Sequence, residues 1–250
     1  MSSIHTKEKE FHDRIFAEDT RQELDKYYQV TERSREHYRA ALHAASGPGK
    51  RVLEYGCGTA GFSVELRQRG SQVSSIDISS VAILQSREWT YSKSIRDIEF
   101  CTMNAESLAF SNGSFDLICG TGILHHLDLE KSYSEVARVL RPGGAGVFLE
   151  PLGHNPVINL YRSMTPDMRS EDEHPLLMPD LELAKKYFGK VDCEFFHLHS
   201  LAAVPLRKSA LFSPALRTFD AIDKVLFAAI PPLRRWAWIT VIRLAEPKKS

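Results

Sequence analysis

Cysteine is scarce in this sequence. The four cysteines in 250 residues, at 57, 101, 119 and 193, show no C-x-x-C spacing. They are too few to staple a chain this long, and such usage implies a reducing setting. Long apolar runs are missing as well: the longest, VLFAAIPPL at 225–233, is broken by two prolines, which excludes a spanning helix. The first ten residues, MSSIHTKEKE, lack the apolar centre of a signal peptide. A soluble, cytoplasmic protein that at most touches a bilayer peripherally is expected. Net charge is absent, since Lys plus Arg and Asp plus Glu both number 32, so no global field draws in acidic polymers. No basic stripe or nucleic-acid module is visible, so no nucleic-acid partner is expected. There is no internal repeat and no low-complexity segment, and the oligomeric state is left open.

Charge is uneven locally. Residues 201–250 carry nine Lys or Arg against three Asp or Glu, interleaved with apolar residues. That mixture reads first as a solvated, mildly basic face, with an anionic substrate or a membrane surface as the alternatives. Residues 7–45 are highly charged with scattered apolar positions and read as two or three amphipathic helices ending at the breaker SGPGK. They form a helical leader, 1–48, that serves as a lid over a main domain, 49–250. In that domain RVLEYG reads as a strand, FSVELRQRG as a helix stopping at Gly70, and QVSSIDIS as a second strand ending on Asp77. A helix (SSVAILQSREWTYSKS), a strand (IEFCTMNA), a connector, the apolar strand FDLICGTG, the helix LEKSYSEVARVL, the breaker RPGG and the strand AGVFLEP follow. Alternation of this kind predicts an α/β, doubly wound Rossmann-like sheet. Two segments interrupt it as caps, about 152–180 and about 203–235. Between them 181–189 reads as helix and 191–199 as strand, and AWITVIRLAEP closes the chain as a strand.

The stretch VLEYGCGTAGF at 52–62 carries the chemistry. Its six residues from Gly56 to Gly61 match the glycine pattern of nicotinamide and flavin enzymes, and Asp77 lies 21 residues beyond Gly56, where a ribose-binding carboxylate is expected. That distance fits S-adenosylmethionine equally well. Glu54, two residues before the first glycine, is poorly placed for a pyrophosphate, which needs positive potential. It suits a ligand presenting an ammonium and a sulfonium.

From about residue 50 to 150 the sequence resembles the class I S-adenosylmethionine-dependent methyltransferases, of the type 11 kind with small-molecule acceptors. The matching segments, in order, are VLEYGCGTAGF, SSIDIS, NAESLAFSNGSFDLI, GILHHL and EVARVLRPGG. The resemblance implies a seven-stranded sheet with its last strand antiparallel. It implies S-adenosyl-L-methionine as cofactor and S-adenosyl-L-homocysteine as product. It places Glu54, Gly56 and Gly58 at the methionine portion and Asp77 at the ribose, with Asn104, Ala105 and Glu106 near adenine. Cys57, Ile78, Gly120 and the leader residue Tyr28 complete the expected cofactor contacts. Two departures stand out: Ala60 occupies the usual third-glycine position with Gly61 after it, and Asn104 stands where an aspartate is common.

The acceptor side is less defined. His125, His126, His154 and Glu150 are base candidates beyond the fourth and fifth strands, because imidazole titrates near neutral pH. The bland reading, a packed or hydrogen-bonded side chain, is the favoured one for each. Tyr161, Arg162 and His174 are substrate-binding candidates in the first cap, where irregular loops hold ligands; a cap held by ion pairs is the alternative. His197 and His199 would share a strand face, but no third ligand is evident, so no metal is expected. Phe195, Phe196, Trp236 and Trp238 read as core. The expected reaction is methyl transfer by in-line displacement to a lipophilic or aromatic O-nucleophile. The alternatives are a dinucleotide-dependent oxidoreductase, which gives no account of GSFDLI and RVLRPGG, and a non-catalytic S-adenosylmethionine-binding protein.

Overall fold

The computed structural model describes residues 3–18, 29–59, 61–164 and 174–248. Seven strands form one sheet: β1 (Arg51–Tyr55), β2 (Gln72–Asp77), β3 (Ile98–Thr102), β4 (Phe115–Thr121), β5 (Leu140–Pro151), β6 (Phe188–Phe196) and β7 (Ile239–Pro247). Their order is β3-β2-β1-β4-β5-β7-β6. The first five are parallel, and β7 runs antiparallel between β5 and β6. Helices α1 (Ser3–Glu18), α2 (Glu32–Ala45), α3 (Ser63–Gln68), α4 (Ser80–Ser92), α5 (Leu129–Val139), α6 (Pro156–Ser163), α7 (Met178–Leu183) and α8 (Phe212–Ala229) accompany it. This is the doubly wound sheet with an antiparallel last strand that the sequence implied.

Central strands are apolar on both faces because both faces are covered. On one face Leu53, Tyr55 and Phe148 meet Tyr133 and Val136 of α5 and Phe227 of α8. On the other, Val52, Leu117 and Val147 meet Tyr38 and Leu42 of α2, with Leu66 and Ile83 of α3 and α4. Burial of this kind contributes about 25 cal/mol per Å² of apolar area. Two side-chain caps fix where helices begin after strands: Ser79 accepts from Ala82 N at 3.1 Å, and Asp128 from Lys131 N at 3.2 Å.

Three local expectations are corrected. RPGG is not a break, because β5 already starts at Leu140, which pairs with Phe115 before a register shift absorbs Pro142 to Gly144. The sixth strand covers Phe188–Phe196 rather than 191–199, and helix α7 ends before it. His197 and His199 therefore do not share a strand face; His197 turns the chain at φ 66°. Trp236, read as core, is exposed. In the second cap, 203–235, the structure has an 18-residue helix, α8. No helix among the described residues is long and apolar enough to cross a membrane.

Candidate active site

All of the loops that matter here leave the carboxyl ends of β1, β2, β3, β4 and β5, the edge where open α/β sheets bind ligands. After β1 the chain reverses tightly: Gly56 N and Cys57 N both donate to Ile76 O at 2.9 Å. Gly56 and Gly58 take φ of 71° and 51°, which favours glycine. Gly58 N donates to Asp77 Oδ2 at 2.8 Å, while Ser79 N donates to Asp77 Oδ1 at 2.9 Å. Asp77 thus ties the glycine turn to the end of β2 with its side chain half-buried at the edge of the cleft. Cys57 is packed inside the loop and Ile78 is half-buried beside Asp77.

Glu54 lies under the same loop. It is buried, Phe62 N donates to its Oε1 at 2.5 Å, and Ser63 Oγ donates to Oε2. Burial pushes its carboxyl up to about 7, against the pull of the Ser63 and Phe62 donors. Its oxygens clamp the start of α3. The displaced third glycine has its explanation here. A Cβ on Gly61 would stand inside contact distance of Glu54 Oε1 and 3.3 Å from Cys57 O, so the loop passes directly over the carboxylate. Gly61→Ala is expected to lower thermal stability by roughly 1–3 kcal/mol through overpacking and to weaken ligand binding at the loop. Melting curves with and without S-adenosylhomocysteine check this; wild-type behaviour of both would refute the contact. Ala60 and Tyr28 lie outside the described residues.

Beyond β3, Asn104 Oδ1 accepts from Glu106 N at 2.9 Å, closing a local turn around the buried Ala105. Tyr55 Oη donates to Ala105 O at 2.5 Å and fixes that turn on β1. Glu106 directs Oε1 to Asp128 N at 2.9 Å at the start of α5. Gly120 lies buried at the end of β4.

Glu150 organises the other side of the cleft. It is fully buried at the end of β5. Its Oε1 accepts from Ile123 N and Leu124 N, both at 2.9 Å, and its Oε2 is 2.8 Å from His125 Nδ1. Burial pushes its carboxyl up to about 8, opposed by those backbone donors. The turn it holds touches the glycine loop, because a Cβ on Gly56 would come within 2.7 Å of Ile123 Cδ1. The two adjacent histidines are thereby separated in environment. His125 is buried against Glu150, whereas His126 faces α1, its Nδ1 3.7 Å from Glu8 Oε2 and its ring 5.2 Å from that of His12.

The first cap joins the same edge. His174 N donates to His125 O at 3.2 Å, and Leu176 bridges to Leu152. Asn155 caps α6 through Val157 N and Ile158 N. Tyr161 and Arg162 are half-buried on its last turn, and His154 is half-buried just before it. The base candidates His125, His126 and Glu150 are brought together, and the His174 backbone is joined to them.

The sequence set a helical leader over the domain but singled out no residue of α1. Asp13 accepts from Ser79 Oγ at 2.5 Å, Gln85 Nε2 donates to Phe16 O at 3.0 Å, and the Phe16 ring lies over Gly58. Glu8 and His12 are one turn apart, Glu8 Oε2 lying 3.3 Å from His12 Nε2. The signal available was the i, i+4 spacing of Glu8 and His12 in EKEFHD. Glu8, His12 and His126 also bring donor atoms within 4.8 Å of one another, a set able to share a divalent cation but short of the fourth protein ligand of a closed structural zinc site. His197 and His199 are structural: His197 lies between Ser34 Oγ (2.9 Å) and Ser200 Oγ (3.2 Å), with burial pushing it down to about 3, and His199 Nδ1 is 2.6 Å from Asp223 Oδ1.

Residues 53–148 match the family model described as "Methyltransferase domain". The chain is 32% identical over 112 residues to a sterol 24-C-methyltransferase of Pneumocystis carinii, covering 44% of this chain and 29% of that protein. It is 33% identical over 109 residues to a ubiquinone biosynthesis O-methyltransferase of Azoarcus sp., covering 43% and 46%. The matches thus span less than half of either relative's length. Among solved structures it resembles phosphoethanolamine N-methyltransferase 2 of Haemonchus contortus in complex with phosphomonomethylethanolamine and S-adenosylhomocysteine. There the TM-score is 0.62 at 18% identity, with 85% of this chain and 53% of that chain covered; this is a likeness of fold.

Proposed function

We propose that this chain, whose residues 53–148 form a class I S-adenosylmethionine-dependent methyltransferase domain, transfers the cofactor's methyl group to a small lipophilic or aromatic acceptor, at oxygen. The observation that carries the reading is the glycine turn set between two carboxylates: Asp77 on its Gly58 amide and Glu54 beneath it. The Asp77 charge, joined by that of Glu54 when it is ionised, favours a cationic ligand and disfavours a pyrophosphate. S-Adenosylmethionine brings the activated methyl group; the protein aligns the nucleophile with it and excludes water. Gly56, Cys57 and Gly58 would hold the methionine portion, Asp77 and Ile78 the ribose, and Asn104, Ala105 and Glu106 the adenine edge, with Gly120 beneath.

The environments of the two histidines divide their roles. His125, fixed by Glu150, positions the turn. His126, half-buried and beside Glu8, is the group suited to take a proton from a hydroxyl. His154, Tyr161, Arg162 and His174 would line the acceptor side. Support for an oxygen nucleophile comes from this base; support for a lipophilic acceptor comes from the relatives, one a ubiquinone biosynthesis O-methyltransferase and one a sterol 24-C-methyltransferase. The test is incubation with S-adenosylmethionine and a panel of phenols, catechols and isoprenoid alcohols, with S-adenosylhomocysteine release as readout. Turnover with a phenolic or hydroxyl acceptor supports the reading. Turnover restricted to amines removes the oxygen assignment, and binding without turnover across all classes favours a non-catalytic protein.

A further inference from the structure

Between residues 207 and 236 the chain carries six cations (Arg207, Lys208, Arg217, Lys224, Arg234, Arg235) and two acids, Asp220 and Asp223. Helix α8 turns both acids inward. Asp223 accepts from Leu198 N at 2.9 Å and holds His199, and Asp220 accepts from Ser200 Oγ at 3.0 Å. They are buried beside Phe227 of the same helix, whereas a surface helix of a globular domain normally sends its charged residues outward. Alongside its cations, α8 with its flanks presents apolar side chains outward: Val225 is 65% exposed, Leu211 63%, and Ile222, Ile230 and Trp236 are exposed too. Five of the six cations are exposed around them, and Arg234, half-buried, spends its Nε on Phe227 O at 2.8 Å.

A second apolar row adjoins the first. Asn155 Nδ2 donates to Trp236 O at 2.8 Å, so the start of α6 sits against the end of the α8 module. Helix α6 and its C-cap expose Val157, Leu160 and Met164, spaced one and two turns apart, and the helix begins a short loop after β5. The face is therefore an apolar band rimmed by cations, at the mouth of the candidate site.

We propose that this face docks on an anionic phospholipid bilayer, with α8 lying in the interfacial plane. The charge pattern selects that occupant. An isologous contact with a second copy would set the six cations against six others, a like-charge arrangement that opposes association. An anionic bilayer satisfies both parts at once: its headgroups meet the cations, and the acyl boundary receives Val225, Leu211 and Trp236. Docking in this orientation would let a lipophilic acceptor reach the cleft from the bilayer, a consequence that rests on the methyl-transfer reading, whereas the docking itself does not.

Sedimentation of the full chain with vesicles of phosphatidylcholine alone, and of phosphatidylcholine mixed with phosphatidylglycerol, tests it. Binding is expected only to the mixed vesicles and to weaken as salt is raised. The Lys224→Glu/Arg235→Glu double variant, at two exposed cations, and, separately, Val225→Glu should each lower vesicle affinity at least about tenfold. Both should keep wild-type melting temperature and S-adenosylhomocysteine binding. Absence of binding to mixed vesicles overturns the proposal, as does undiminished binding by both folded variants. Wild-type dimerisation that Val225→Glu abolishes, with vesicles left unbound, would give the face to a second copy and overturn it too. Vesicle binding that persists without any affinity for S-adenosylhomocysteine would sink the methyltransferase reading and leave the docking face standing.

Discussion

Glu150→Ala is expected to lower stability by roughly 3–5 kcal/mol, because it leaves Ile123 N, Leu124 N and the His125 ring without their buried acceptor, each worth about 1–3 kcal/mol when orphaned. In a chain of this size that is a fall in melting temperature of roughly 10 °C. The turn that carries His125 and His126 also rests on Gly56 through Ile123, so cofactor affinity and turnover should fall with it. Glu150→Gln keeps an acceptor for the two amides and should cost much less. It also isolates the pH term. A carboxyl raised from 4.5 to about 8 by burial binds its proton more tightly in the folded state than in the unfolded one. Its contribution to stability is therefore fully present below about pH 4.5 and lost as pH rises through 8. Denaturant titrations of wild type and Glu150→Gln at pH 5, 7 and 9 check this, the wild type losing more stability with rising pH. Parallel pH profiles for the two would show that Glu150 is ionised throughout.

Asp77→Ala is the second large effect. Asp77 serves two backbone amides, Gly58 N and Ser79 N, and in the proposed site its remaining acceptor capacity meets the ribose. Loss of one charged hydrogen bond costs about 1.5–3 kcal/mol, so S-adenosylhomocysteine affinity should fall at least tenfold. Loosening of the glycine turn adds to that loss. Asp77→Asn, which preserves an oxygen for one amide, separates the contributions: its turn should stay closer to wild type while its affinity still drops. Calorimetric titration gives the affinities and thermal melts give the stabilities. Unchanged affinity in the alanine variant would remove Asp77 from the site.

The sheet was legible because its central strands are continuous apolar runs punctuated by glycine and by capping residues such as Ser79 and Asp128. VLEYGCGTAGF was legible as a tight glycine turn because the residues that make it are neighbours in sequence. Other features depended on contacts between distant residues. Nothing in the periodicity of MSSIHTKEKEFHDR says that Asp13 will meet Ser79 or that Glu8 and His12 will meet His126. Helix α8 was obscured by its prolines, yet Pro214 sits in its first turn, where the missing N–H costs nothing, and Pro231 and Pro232 follow its end. Those prolines flank a helix rather than break it. The end of β6 was misjudged because VDCEFFHLH keeps its apolar character past Phe196, while the positive φ of His197 is set by the buried hydrogen bonds to Ser34 and Ser200. The meaning of Gly61 needed the structure too, since its partner is the side chain of Glu54 beneath it.

Calorimetric titration of the full chain with S-adenosylhomocysteine, and in parallel with NAD, tests the central claim most directly. One site saturable by S-adenosylhomocysteine is expected, with no heat from NAD and with the affinity lost in Asp77→Ala. Saturable binding of NAD with none of S-adenosylhomocysteine would contradict the account.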